Sequence, residues 1–252
     1  MSEESIGPRI LTVIPARYAS TRFPGKIIAP LAGKPLVAHT YSRAIQAKLV
    51  TEALVAADDT KVRDVLVPLG IPVVMTSPDH PSGTDRIAEV AAGRDVDIVV
   101  NVQGDEPLID PNTIDAAIRP LLERPEVMMC TARGLLTDPE DIANPNVVKV
   151  VCDTRGDALY FSRHPIPYIR DAADRAGAPR CHWQHIGLYV YRRDFLLQYA
   201  KMPQTPLEKL EKLEQLRVLE NGFKIAVVET GYEALGVDTP EDLERVRALL
   251  EN

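Results

Sequence analysis

Ile10-Leu11-Thr12-Val13-Ile14, followed by Pro15-Ala16-Arg17-Tyr18-Ala19-Ser20-Thr21-Arg22-Phe23-Pro24-Gly25-Lys26, decides the fold class. An apolar, β-branched run without alternation suits a strand covered on both faces. Similar short runs stand at 53–57, 72–75 and 98–102. Helical stretches lie between them. Pro35 opens one that runs to about Lys48. Asp59-Thr60 caps a second from Lys61 to Leu69, ended by Gly70, and Asp110-Pro111 caps a third from Asn112 to Leu122. Strand alternating with helix predicts an α/β chain built on a Rossmann-like, mostly parallel sheet. The second half is more mixed, with strands expected at 147–152, 158–162, 186–191 and 224–228. Thr205-Pro206-Leu207-Glu208 is a capping box opening one helix that ends near Asn221-Gly222. Thr239-Pro240-Glu241-Asp242 starts a last helix in the same way. Asp171 to Pro179 is the most loop-like stretch, and no repeat or composition break divides the chain.

Composition limits the function classes. The 252 residues are 45% hydrophobic and 26% charged, an ordinary globular balance. Lys and Arg number 29 against 36 Asp and Glu, a net charge of −7. With 5% aromatics, that opposes binding to a nucleic-acid polymer, which needs cations and stacking surfaces. Cys130, Cys152 and Cys181 are dispersed, which excludes a CxxC metal or redox motif and suits a reducing cytoplasm. Met1 to Arg9 is polar and carries no apolar h-region, so no secretory signal is expected. No apolar run approaches the ~20 residues of a membrane span. A cytoplasmic protein is expected.

In open α/β sheets, ligands bind at the carboxyl ends of the strands. After the first strand come Arg17, Arg22 and Lys26 among small turn-forming residues, either a cationic loop suited to a polyphosphate or a solvated surface loop with scattered charges. It is neither a Walker A loop nor a GxGxxG fingerprint. After 98–102 comes Gln103-Gly104-Asp105-Glu106-Pro107, an acidic pair able to present a Mg²⁺ ligand or to tighten a turn. Asp238 precedes a helix start, where a carboxylate is often only a cap, although Thr239 already fills that position. The loop from Ser77 to Arg86 offers Ser82, Gly83, Thr84 and the planar fork of Arg86, or simply a turn and N-cap. Arg163 follows a strand in a segment stiffened by Pro165 and Pro167, and suits a carboxylate contact. His164, His182 and His185 match no zinc spacing and read as core or hydrogen-bonding residues. Leu207, Leu210, Leu213, Leu216 and Leu219 read as a packing stripe, with Glu214 and Gln215 as solvated neighbours. No arrangement for covalent nucleophilic catalysis is present. Cationic loop, carboxylates and sheet together point to nucleotide chemistry at phosphorus.

The motifs IPARYASTRFPGK (14–26), SGTDR (82–86), NVQGDEP (101–107), FSRHPIPY (161–168), HIGLYVYR (185–192), LEKLEQLRVLENG (210–222) and GVDTPEDLERVR (236–247) occur in this order. Together they resemble the 3-deoxy-manno-octulosonate (Kdo) cytidylyltransferases from Ile10 to Leu250, whereas the tract Gly231 to Leu235 departs from that pattern. The resemblance implies a sugar-nucleotidyltransferase α/β fold with a smaller mixed α+β insertion. It implies one domain over 1–252, whose part at about 130–222 binds sugar and forms a homodimer. It also implies a Mg²⁺-dependent enzyme that transfers CMP from CTP to Kdo for lipopolysaccharide biosynthesis, releasing pyrophosphate. Carried over by motif, Ala16, Arg17, Ser20, Arg22, Lys26, Ser82, Gly83, Arg86 and Gln103 bind CTP. Gln103, Arg163, Gln184 or His185, Tyr189, Glu214 and Gln215 line the sugar pocket. Asp105 and Asp238 hold the metal and, with Arg17 and Lys26, form the catalytic set. The alternatives are a cytidylyltransferase for a related acid sugar such as 8-amino-Kdo, and a non-catalytic nucleotide-binding protein.

Overall fold

The structure is a computed structural model that describes residues 7–20, 22–171 and 181–251. The loop expected at 171–179 therefore lies almost wholly outside the described residues. Nine of the described strands form one sheet. Its main path runs β11 (Ile225–Thr230), β7 (Met129–Leu135), β10 (Trp183–Arg192), β6 (Ile98–Asn101), β1 (Ile10–Ala16), β4 (Glu52–Ala57) and β5 (Val73–Met75). The short strands β8 (Lys149–Cys152) and β9 (Ala158–Ser162) extend it beside β10. β6, β1, β4 and β5 are mutually parallel, so their carboxyl ends share one edge. β10 is antiparallel to both β6 and β7 and is the reversed strand of the main path.

Helices cover both faces. Ile10, Ile14, Val100 and Ile186 pack on one side against α1 (Leu36–Ala44), α2 (Thr60–Leu66), α4 (Pro111–Glu123) and the last helix Pro240–Leu250. Leu11, Val13, Val99 and Tyr191 pack on the other against α3 (Gly83–Ala92), Arg193–Tyr199 and Gln215–Glu220. Each central strand feeds two cores, so its sequence shows continuous apolar runs where a one-sided strand would alternate. Asp59, Asp110 and Thr239 cap their helices as expected, each accepting a backbone N–H through its side chain.

Several expectations need correction. Pro35 does not enter α1. It ends β3 (Lys34–Pro35), which pairs with β2 (Pro30–Leu31), and it takes the N-cap place; α1 then stops at Ala44 rather than Lys48. The helix expected from Leu207 to Asn221 is two helices, Pro206–Glu211 and Gln215–Glu220, broken where Lys212 adopts φ +54°. The break divides the leucine stripe: Leu213 and Leu216 are buried, whereas Leu210 is 80% exposed. Strand β7 and the helix Arg193–Tyr199 were not anticipated. β10 carries a bulge between Ile186 and Tyr189, opposite Thr131, whose hydroxyl lies 3.0 Å and 2.7 Å from the carbonyl oxygens of Ile186 and Leu188. Bulges of this kind re-aim a strand beside functional sites. Here Gly187 comes against Gln103, whose amide donates to its carbonyl at 3.2 Å.

Candidate active site

The loop after β6 approaches the end of β1 because residue 104 lacks a side chain. A Cβ there would stand 2.8 Å from the Pro15 carbonyl oxygen and 2.7 Å from Ile27 Cδ1. This close approach brings Asp105 to Lys26, at 2.7 Å between Oδ2 and Nζ. The amide of Val237 donates to the Asp105 carbonyl at 2.9 Å, which brings Asp238 to the same ammonium at 3.0 Å. Arg22 pairs with the other oxygen of Asp238, also at 3.0 Å. Asp238 is therefore not the cap of the last helix; Thr239 and Asp242 form that capping box. Burial pushes the Lys26 pKa down, but the carboxylates of Asp105 and Asp238 outweigh it and hold the ammonium above its ordinary value. Glu106 is turned to a different use. Burial pushes it up to about 6, opposed by the Tyr232 hydroxyl that donates to it at 2.7 Å.

Two carboxylates that reach one ammonium within 3.0 Å also suit a hard divalent cation completed by phosphate oxygens. Among the described residues no group of three or more His, Cys, Asp or Glu could hold a metal by itself. A metal here would share its coordination with a substrate, as Mg²⁺ commonly does.

Arg17, Ser20, Arg22 and Lys26 line a cleft of about 390 Å³ with Asp105 and Asp238. Gly83 and Gln103 line that cleft as well as a deeper cavity of about 280 Å³, so the two spaces meet at this pair. Tyr189, Glu214 and Gln215 line the deeper cavity together with Thr84 and Lys212. Glu214 and Gln215 are not the solvated residues that their helix position suggested. Gln215 is 2% exposed, and Glu214 accepts the Thr84 hydroxyl at 2.8 Å. Burial raises the Glu214 pKa, opposed by that hydrogen bond.

The other expected residues stand behind this surface. Ala16 is buried within β1, and Ser82 caps α3. Arg86 is 0% exposed, with its guanidinium on Thr76 and on Asp58, and presents no open fork. His185 is buried beneath Tyr189, 2.9 Å from the Thr131 hydroxyl and 3.5 Å from the Gln215 amide. Burial pushes its pKa down to about 3, so it is neutral near pH 7. Gln184 pairs within the sheet opposite Gly134 and Lys149. The guanidinium of Arg163 donates to the carbonyls of Glu211 at 2.7 Å, Pro145 at 3.0 Å and Lys212 at 3.4 Å. Arg163, Gln184 and His185 thus lie outside the cavity lining, and Arg163 instead holds the broken helix segment that carries Lys212. The sequence reading missed Tyr199 and Lys212 in the lining. The helix break could have signalled Lys212, but no glycine marks it; Tyr199 ends the helix Arg193–Tyr199, which the sequence pattern did not reveal.

A cytidylyltransferase family profile matches residues 11–225. The chain is 56% identical over 241 residues to a 3-deoxy-manno-octulosonate cytidylyltransferase of Solibacter usitatus, covering 96% of this chain and 94% of that protein. It is 55% identical to the protein of that name from Trichlorobacter lovleyi, covering 95% and 97%. A solved structure of CMP:2-keto-3-deoxy-manno-octonic acid synthetase complexed with CTP matches with TM-score 0.91 at 42% identity, covering 96% of this chain and 98% of that one. A 4-diphosphocytidyl-2C-methyl-D-erythritol synthase from Anaerococcus prevotii, at TM-score 0.62 and 13% identity, shares the fold alone. The chain belongs to the cytidylyltransferase family and, within it, to the 3-deoxy-manno-octulosonate cytidylyltransferases.

Proposed function

We propose that this member of the family transfers CMP from CTP to 3-deoxy-manno-octulosonate. The sugar hydroxyl attacks the α-phosphorus, the bond from the α-phosphorus to the bridging oxygen breaks, and pyrophosphate leaves. One observation carries the reading: a cationic cleft and a tyrosine-lined cavity meet at Gly83 and Gln103, beside the Asp105–Lys26–Asp238 cluster. The triphosphate belongs in the cleft, where Arg17, Arg22 and Lys26 offset its charge and that of the leaving pyrophosphate. The acid sugar belongs in the deeper cavity, where Tyr189, Glu214, Gln215 and Gln103 offer hydroxyl, carboxylate and amide partners. Kdo and CTP are both anionic and repel each other, so much of the catalytic gain comes from holding them together in line.

Asp105 and Asp238 would hold Mg²⁺ in this reading. The ion, when bound, supplies positive charge at the α-phosphate and lowers the pKa of the attacking hydroxyl. Lys26, which meets both carboxylates here, would then be available to phosphate, whereas Glu106 is engaged by Tyr232. We also propose that the part at about 130–222 carries both sugar contacts and a homodimer contact; its Leu159 and Leu210 are 62% and 80% exposed. Light scattering of the purified protein at twice the monomer mass would support the dimer, and the monomer mass would remove it.

Phosphorus NMR of CTP, Kdo, Mg²⁺ and protein tests the function. A new phosphodiester signal should grow in step with pyrophosphate, whereas unchanged CTP would favour a nucleotide binder without catalysis. Glu214 would suit an amino group as well as a hydroxyl, so 8-amino-Kdo is the second acceptor to compare.

Arg163→Ala should act through the Lys212–Gln215 segment that its guanidinium holds. The expected result is a KM for Kdo raised about tenfold or more, the scale on which small misplacements act, with little change for CTP. A rise in the CTP requirement instead would remove Arg163 from the sugar side.

A further inference from the structure

We propose that Asp58 is a positioning residue for nucleotide binding, fixing the cationic loop and the buried Arg86 through one carboxylate. The inference rests on the functional reading above. Asp58 is the first residue after β4, beside the end of β1, where Ala16 stands opposite Ala57. It lines neither cavity, so any effect on the nucleotide passes through other groups.

One oxygen of Asp58 accepts the Tyr18 amide at 2.9 Å. Tyr18 in turn closes the loop, because its carbonyl accepts the Gly25 amide at 3.2 Å. Its ring lies 3.5 Å from the place a Cβ on Gly25 would take, where φ is +71°. Lys61 stands 4.4 Å over the same ring. Both ends of the segment carrying Ser20 and Arg22 are therefore tied to a single residue, and Lys26 follows directly. The link runs from the Asp58 carboxylate through Tyr18 and Gly25 to the ammonium that meets Asp105 and Asp238.

The other oxygen accepts from Arg86 at 3.3 Å. Arg86 is fully buried, donates also to the Thr76 hydroxyl, and leaves its Nε without a hydrogen-bond partner. A guanidinium in that position needs a counter-charge within reach, and Asp58 supplies the carboxylate. Arg86 belongs to the first turn of α3, the helix that begins at Gly83 between the two cavities. One carboxylate thus couples the triphosphate loop to the helix start at the join of nucleotide and sugar spaces. In metal sites, groups that orient the ligating residues from behind are worth about 10–100-fold, and a similar scale is expected here.

The test is calorimetric CTP binding without sugar for the wild type, Asp58→Ala and Asp58→Asn, with hydrogen exchange followed at the Tyr18 amide. Asp58→Ala should weaken CTP about tenfold or more and speed exchange at Tyr18. Asp58→Asn keeps an acceptor for that amide but loses the charge facing Arg86, and should fall between the two. A merely structural role would lower the melting temperature and leave the CTP affinity of the folded protein unchanged. Wild-type affinity in either folded variant overturns the proposal; if Asp58→Ala does not fold, Asp58→Asn decides it. A wild type that binds no CTP would instead overturn the functional reading itself.

Discussion

Asp105→Asn and Asp238→Asn should each lower CMP transfer by about a thousandfold or more, while CTP still binds. Each substitution keeps the shape of the side chain and an oxygen that can accept from Lys26, now at 2.7 Å from Asp105 and 3.0 Å from Asp238. The loop geometry set by Gly104 and the Val237 amide is therefore preserved. What disappears is one negative charge from the pair that would hold the metal. Loss of a group that stabilises developing charge in a preorganised site costs about 10²–10³ in rate, and loss of the ion itself adds to that. CTP is anionic, so removing a carboxylate beside its phosphates does not weaken its binding electrostatically. Steady-state turnover and CTP calorimetry on the same preparations check both halves. Near-normal turnover in either variant would take that residue out of the metal site.

Glu208→Ala should destabilise the protein by about 3–5 kcal/mol, the cost of leaving one partner of a buried ion pair alone. Glu208 is 3% exposed and takes the Arg217 guanidinium in a two-pronged contact, at 2.8 Å and 2.5 Å. Arg217 also lies over the Tyr199 ring, 5.0 Å from its centroid. The pair ties together the two short helices on either side of Lys212, and so holds the segment that brings Glu214 and Gln215 into the deeper cavity. For a chain of this size the melting temperature should fall by roughly 6–20 °C. Glu208→Gln keeps the capping contact to Thr205 and should lose less. Calorimetric melting measures both, and an unchanged melting temperature for Glu208→Ala would show that the pair does not hold the segment.

The first half of the fold was legible because its physics is local. Strands β1, β4 and β6 are covered on both faces and read as unbroken apolar runs, and Asp59, Asp110 and Thr239 announce their helices by side-chain caps. The cationic loop and Asp105 were legible because both follow such strands directly. The rest depends on contacts between distant residues. Lys212 takes a left-handed backbone conformation with no glycine to mark it, so one helix was expected where there are two. That error placed Glu214 and Gln215 in solvent on sequence grounds, although the family resemblance put them in the pocket. Arg86 read as an open fork because arginine is seldom fully buried, yet here Asp58 and Thr76 enclose it. Asp58 itself follows β4 immediately, more directly than Asp105 follows β6. The adjoining Asp59 is the helix cap, and nothing local in the sequence sets Asp58 apart from it.

The most direct measurement of the central claim is pyrophosphate release with each of the four common nucleoside triphosphates, in the presence and absence of Kdo and Mg²⁺. The predicted result is release with CTP, dependent on both Kdo and Mg²⁺, with the other nucleotides far behind. Release that favours another nucleotide, or that proceeds equally without an acid sugar, would contradict the account.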